Sequence, residues 1–190
     1  MFSCISKLNS SYSVKKDSFE GHILKISCLV KLNKSTVASA SNDGRVLIWN
    51  IEVGDYTTAL CGHTKEVTCL LKIDDYRLVS GSWDQTFILW NYKTGALLYT
   101  HNVYSGYKVY CLLNLGNMQV IAGCKNELII WDLSSENSIK QLDDHYIDSD
   151  ENCFCSLKFK KDVLLIGKDK LIYRYYAISS NDNYNMDLPS

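Results

Sequence analysis

The stretch VSGSWDQTFILWN, residues 79–91, decides how the rest of this chain is read. It holds a short run toward Ser82, a polar turn built on Asp84, and then four consecutive apolar residues, Phe87-Ile88-Leu89-Trp90, closed by Asn91. Counterparts lie on both sides: ASASNDGRVLIWN at 38–50, IAGCKNELIIWD at 121–132 and LIGKDKLIYRYY at 165–176. Trp49, Trp90 and Trp131 are each 41 residues apart, and Tyr175 takes that place 44 residues further on. Gly21-His22 and Gly62-His63 are likewise 41 apart, and each His precedes its Trp by 27. Cys28, Cys69, Cys111 and Cys155 keep the same beat, with separations of 41, 42 and 44. A period just above 40 is an internal repeat, so these cysteines mark repeat units rather than a ligand set.

Within each unit, apolar runs of four to six residues rich in β-branched and aromatic types are separated by Gly, Asn, Asp and Lys clusters. That is the signal of short strands, and no stretch keeps a helical period. In the second unit the pattern predicts strands at 67–73, 77–82, 86–91 and 96–99. The third is continuously apolar, as a strand covered on both faces must be. Four-stranded sheets repeated around an axis make a β-propeller, so the chain reads as all-β.

Composition narrows the class of function. With 190 residues, 46% apolar and 22% charged, the chain has core enough for one globular domain or two very small ones. A formal charge of −1 removes the broad basic footprint of nucleic-acid or anionic-membrane binding. No apolar run reaches the roughly 18 residues of a membrane span, and residues 1–16 are too polar for a secretory signal. A soluble intracellular protein is expected, cytoplasmic with the nucleus left open.

The Gly-His pairs, the Ser80-Gly-Ser-x-Asp84 segment and the Trp-Asn or Trp-Asp dipeptides at 49, 90 and 131 resemble the WD40-repeat family over roughly residues 12–177. The second unit is the most complete match. In the third, Tyr104-Ser105 stands where Gly-His belongs and one residue is missing before Trp131; in the fourth, Tyr175 replaces Trp, with Asp169 as the candidate turn carboxylate.

In that family the sequence repeat is offset from the blade, beginning with the outer strand of one blade and continuing with the inner three of the next. The resemblance thus implies units at about 12–50, 55–91, 96–132 and 138–177, between a flexible segment 1–11 and a polar tail 178–190. Residues 12–19, 55–60, 96–99 and 138–142 would be outer strands, and the last inner set has none of its own. Family rings usually hold about seven blades. With about four blades, either the amino-terminal strand closes the ring onto the fourth blade or the propeller is incomplete. A closed ring of four is very tight for this family, so an open arc is expected, with apolar surface exposed on its first and last blades.

His63, Ser80 and Asp84 are the three residue types of a hydrolytic triad. The resemblance implies a structural role instead: with Trp90 they form a buried set in which Asp orients His, His meets Ser, and Ser reaches the indole N–H. His22, Ser39, Asp43 and Trp49 repeat that set in the first unit, and no Gly-x-Ser-x-Gly elbow is present. Cys153-Phe-Cys155 with His145 upstream lacks the second pair of a zinc site. Asp148, Asp150 and Asn152 open an EF-hand pattern, but Cys153 stands where Gly is needed and Phe159 where Glu belongs. Phosphate-loop, dinucleotide and kinase signatures are missing too, so no cofactor or metal is expected.

The family commonly binds peptides or protein surfaces on its loop face. The residue before the turn Asp, Asn42 in the first unit and Trp83 in the second, points there, and Lys25, Lys65 and Glu66 approach the same rim. Trp is prominent among interface hot spots because it hides a large surface at small entropic loss. The expected function is a non-enzymatic scaffold for a protein or peptide partner, with no nucleic acid or membrane. The alternative is the substrate-recruiting part of a larger enzyme assembly, such as a ubiquitin ligase or a protein kinase. Open blade edges leave room for self-association.

Overall fold

The computed structural model describes in full residues 17–103, 108–116, 118–124 and 129–134, and the backbone of residue 128 and of strands at 139–142, 153–160, 163–168 and 171–176. The residues set apart above as 1–11 and 178–190, the Tyr104-Ser105 pair, Asp169 and the acidic stretch 143–152 with His145 lie outside them. So do the side chains of Cys153 and Cys155.

All described regular structure is β. The first sheet is β1 (Ile26–Lys31), β2 (Thr36–Ser41), β3 (Arg45–Asn50) and β4 (Asp55–Cys61). The second is β5 (Val67–Lys72), β6 (Arg77–Ser82), β7 (Thr86–Asn91) and β8 (Ala96–Asn102). The third is β9 (Val109–Gly116), β10 (Gln119–Cys124), β11 (Leu128–Asp132) and β12 (Ile139–Leu142), and the fourth is β13 (Cys153–Lys160), β14 (Val163–Lys168) and β15 (Leu171–Tyr176). Each sheet is an antiparallel meander with strands paired in chain order.

Side-chain alternation turns these meanders into blades. Along β7, Ile88 and Trp90 join Ala38, Ala40, Val46 and Ile48 of the first sheet in one buried cluster. Phe87 and Leu89 point the other way and join Cys124, Ile129 and Trp131 of the third sheet. A strand buried on both faces needs an unbroken apolar run, which is why Phe87-Ile88-Leu89-Trp90 carries no polar residue.

Innermost strands also link through hydroxyls. Ser27 Oγ donates to the Val67 carbonyl, and one unit later Thr68 Oγ1 donates to the Val109 carbonyl at 2.6 Å. The second and third sheets approach so closely at Gly81 that a Cβ there would stand 2.6 Å from Val109 Cγ1.

Contacts between sheets pass from β1 to β5, β5 to β9 and β9 to β13, and no extensive contact joins β13–β15 to β1–β4 among the described residues. The described residues therefore form an open β-propeller arc of four blades, the fourth with three strands. Its first blade shows what openness leaves uncovered. Ile26 and Leu29 are 47% and 64% exposed, whereas their equivalents one repeat later, Val67 and Leu70, are 0% and 6% exposed beneath the first blade.

Two strand expectations change. The proposed outer strand at 12–19 falls partly outside the described residues, and residues 17–19 are not strand. Phe19 instead stacks on Trp49 with centroids 6.1 Å apart and lies against Gly54. Covering that indole removes more apolar surface from water than edge pairing would. The strand expected at 96–99 continues to Asn102, because Phe87 pairs with His101 and the Val103 amide donates to the Gln85 carbonyl.

Candidate functional site

The two polar sets implied by the repeat are assembled in space. In the second blade, Trp90 on β7 donates its indole N–H to Ser80 Oγ on β6 at 2.7 Å. Ser80 Oγ lies 2.7 Å from His63 Nε2, and His63 Nδ1 lies 2.9 Å from Asp84 Oδ2 in the β6–β7 turn. An indole can only donate and a carboxylate can only accept, so Ser80 Oγ accepts from Trp90 and Asp84 Oδ2 accepts from the Nδ1–H of His63, while Ser80 and His63 Nε2 share the remaining hydrogen bond. Asp84 also accepts from the amides of Thr64 at 2.9 Å and Thr86 at 3.0 Å, and from Thr86 Oγ1 at 2.6 Å.

The order Ser, His, Asp is that of a catalytic triad, and burial separates the two cases. Ser80 is fully buried, with its oxygen facing the indole N–H. A nucleophile there meets no substrate. What the set does is tie the segment before β5, the strand β6 and the β6–β7 turn into one rigid unit.

The first blade repeats the arrangement with one substitution. His22 Nδ1 lies 3.0 Å from Asp43, His22 Nε2 lies 2.6 Å from Ser39 Oγ, and Trp49 donates to Ser39 at 2.7 Å. At the place of Thr86 stands Arg45, whose guanidinium donates to Asp43 and to the Gly21 carbonyl, both at 2.8 Å.

Burial works to raise the pKa of both turn carboxyls, but the donors around them prevail. Hydrogen bonds from Arg45 and His22 hold Asp43 well below the usual carboxylate range. His63 and Thr86 do the same for Asp84. A depressed folded-state pKa stabilises the fold above the unfolded value, and that contribution is lost as pH falls toward the folded value. Thermal melts are accordingly expected to show no contribution from these two groups to pH dependence above about pH 5, and a falling Tm below roughly pH 4 as the same carboxyls protonate in the unfolded chain.

The third blade departs from the set. Ala122 occupies the register position of Ser39 and Ser80, so no hydroxyl is available there for an indole. Trp131 is held instead among rings, with Phe87, Tyr99 and His101 at centroid distances of 4.8, 5.7 and 6.1 Å. His101 is buried, and that burial lowers its pKa. Sequence reading missed it, yet a signal exists: one repeat earlier the position is Leu60, a core residue.

On the loop face, the Asn42 amide donates to the Lys25 carbonyl at 2.9 Å and the Trp83 amide to the Glu66 carbonyl at 3.0 Å. Both turns thus dock on the residue just before an innermost strand. Lys25 and Lys65 are exposed, while Asn42, Glu66 and Trp83 are half-buried. Gln85 completes the second turn with φ at +71°, at the place where the first has Gly44 at +82°. Trp83 is half-buried and covered on one side of its ring. Lys108, just before β9, places its Nζ 3.7 Å from the ring centroid.

Elsewhere, a cleft of about 340 Å³ is lined by Ile73, Asp74, Asn114, Gly116, Met118 and Leu133. Its carboxylate is already engaged by Arg77 at 2.7 Å, which leaves little free chemistry.

Compared with known families, residues 9–188 match the β-propeller model described as WDR41. No curated protein matches the chain.

Proposed function

Because the chain belongs to the WDR41 β-propeller family, we propose that it is a non-enzymatic interaction scaffold that holds a protein or peptide partner on its loop face. WD40-type propellers are in general protein-binding modules, and the finer reading concerns which residues do the holding. One observation carries it: the tetrads consume their polar groups internally, whereas Trp83 lies half-buried on the loop face with a large ring and no packing role in the core clusters. Asn42, Lys25, Lys65 and Glu66 complete the rim around it.

The test is a pull-down with Trp83→Ala against the unaltered protein. Loss of a hot-spot indole is expected to weaken a genuine partner by about 2 kcal/mol or more, roughly 30-fold. Far-UV circular dichroism and the melting temperature should stay close to those of the unaltered protein, since the tetrads are untouched. A partner set identical to that of the unaltered protein removes Trp83 from the site.

A further inference from the structure

Trp83 and Lys108 belong to different blades, Trp83 to the β6–β7 turn and Lys108 to the approach to β9. The ammonium sits over the indole face at 3.7 Å, within cation–π range. Lys108 makes no ion pair among the described residues. Beneath it, Trp83 Nε1–H is shielded from solvent and has no acceptor among those residues. Shielded donors without acceptors are uncommon in folded proteins, and each one wants an explanation.

Among the described residues, a cation without a counter-charge and an N–H without an acceptor meet on one ring. A single group satisfies both if it is negative and accepts hydrogen bonds. Lys65, exposed and next in sequence to Glu66, whose carbonyl accepts from the Trp83 amide, adds positive charge. Of the acids at these turns, Asp43 and Asp84 are consumed by their tetrads and Glu66 is half-buried.

We propose that Trp83 and Lys108 form a capped docking site for an acidic segment of a protein partner. A carboxylate of that segment draws the Lys108 ammonium off the ring and accepts from the uncovered indole N–H, while an adjoining side chain takes the ring face. This rests on the loop-face reading above and adds the chemistry of the partner. The cap keeps the indole covered until an anion arrives, which selects against neutral apolar surfaces.

The chain has four tryptophans, so its ¹⁵N-labelled form gives four indole N–H signals, and Trp83→Phe identifies the one from Trp83. Titration with a capped tetraglutamate peptide is expected to move that signal downfield and leave the other three in place. A capped tetraglutamine peptide should move none. Lys108→Ala should weaken the tetraglutamate interaction at least tenfold, with an unchanged Trp90 signal reporting an intact fold, whereas Lys34→Ala at the β1–β2 turn should leave it unaltered. Equal affinity in Lys108→Ala, equal weakening by Lys34→Ala, or no movement of the Trp83 signal overturns the proposal. If Trp83→Ala still strips partners in that event, the loop-face reading stands and only the acidic chemistry is withdrawn. If it strips none, both fall.

Discussion

Trp90→Ala is expected to lower stability by about 3–5 kcal/mol in urea unfolding, a large part of the 5–15 kcal/mol typical of a domain. Three things fail together. The indole is almost fully buried between the first two blades, beside Ile88, Val46 and Ile48. Its ring edge also fills the space left by Gly62, where a Cβ would stand 2.9 Å from Trp90 Cη2. Its N–H is the donor that orders Ser80. Trp90→Phe separates these effects, since it keeps most of the ring and deletes the N–H, and about 1–2 kcal/mol is expected from it. The matching change Trp131→Phe should cost less, because Ala122 offers no hydroxyl for that indole to lose. An unfolding midpoint of Trp90→Ala equal to that of the unaltered protein would remove this residue as the pin between the blades.

Asp84→Ala is the second large effect, with about 2–4 kcal/mol expected at neutral pH. The carboxylate accepts from His63, from the amides of Thr64 and Thr86 and from the Thr86 hydroxyl. Removing it strands those donors in a site where the His63 and Asp84 side chains are only 1% and 6% exposed. Deletion should also loosen the turn that carries Trp83, so partner binding and stability fall together. The stability gap between the two proteins should narrow below roughly pH 4, where Asp84 of the unfolded chain takes up a proton while the folded carboxylate stays charged. A gap that stays constant down to pH 3 would show that the charge of Asp84 contributes nothing.

Much of the fold is written in local pattern. Residues 77–82 and 86–91, expected as strands, are β6 and β7 with the same bounds. Each lies between polar turn residues, and 86–91 carries the unbroken apolar run Phe87-Ile88-Leu89-Trp90. Counting units favours the open arc over a closed ring, and the lack of extensive contact between β13–β15 and β1–β4 among the described residues agrees with it. The serine partner is harder to read. Ser80 and Ser82 are two residues apart on one strand and project from the same face, so alternation cannot separate them. In space Ser80 meets both Trp90 and His63, while Ser82 Oγ accepts from the Asp84 amide at 3.0 Å.

Other features depend on where separate units come to rest. Lys108 lies 25 residues beyond Trp83 and in the next blade, and nothing in either local pattern announces that one covers the other. The same holds for Phe19, which leaves its expected strand for the face of Trp49. Period, strand order and the residue types able to form a tetrad come from interactions among near neighbours, so the linear chain carries them. The cap on Trp83, the burial of His101 and the bare flank of the first blade come from distances between units set side by side, and those distances exist only after the blades have stacked.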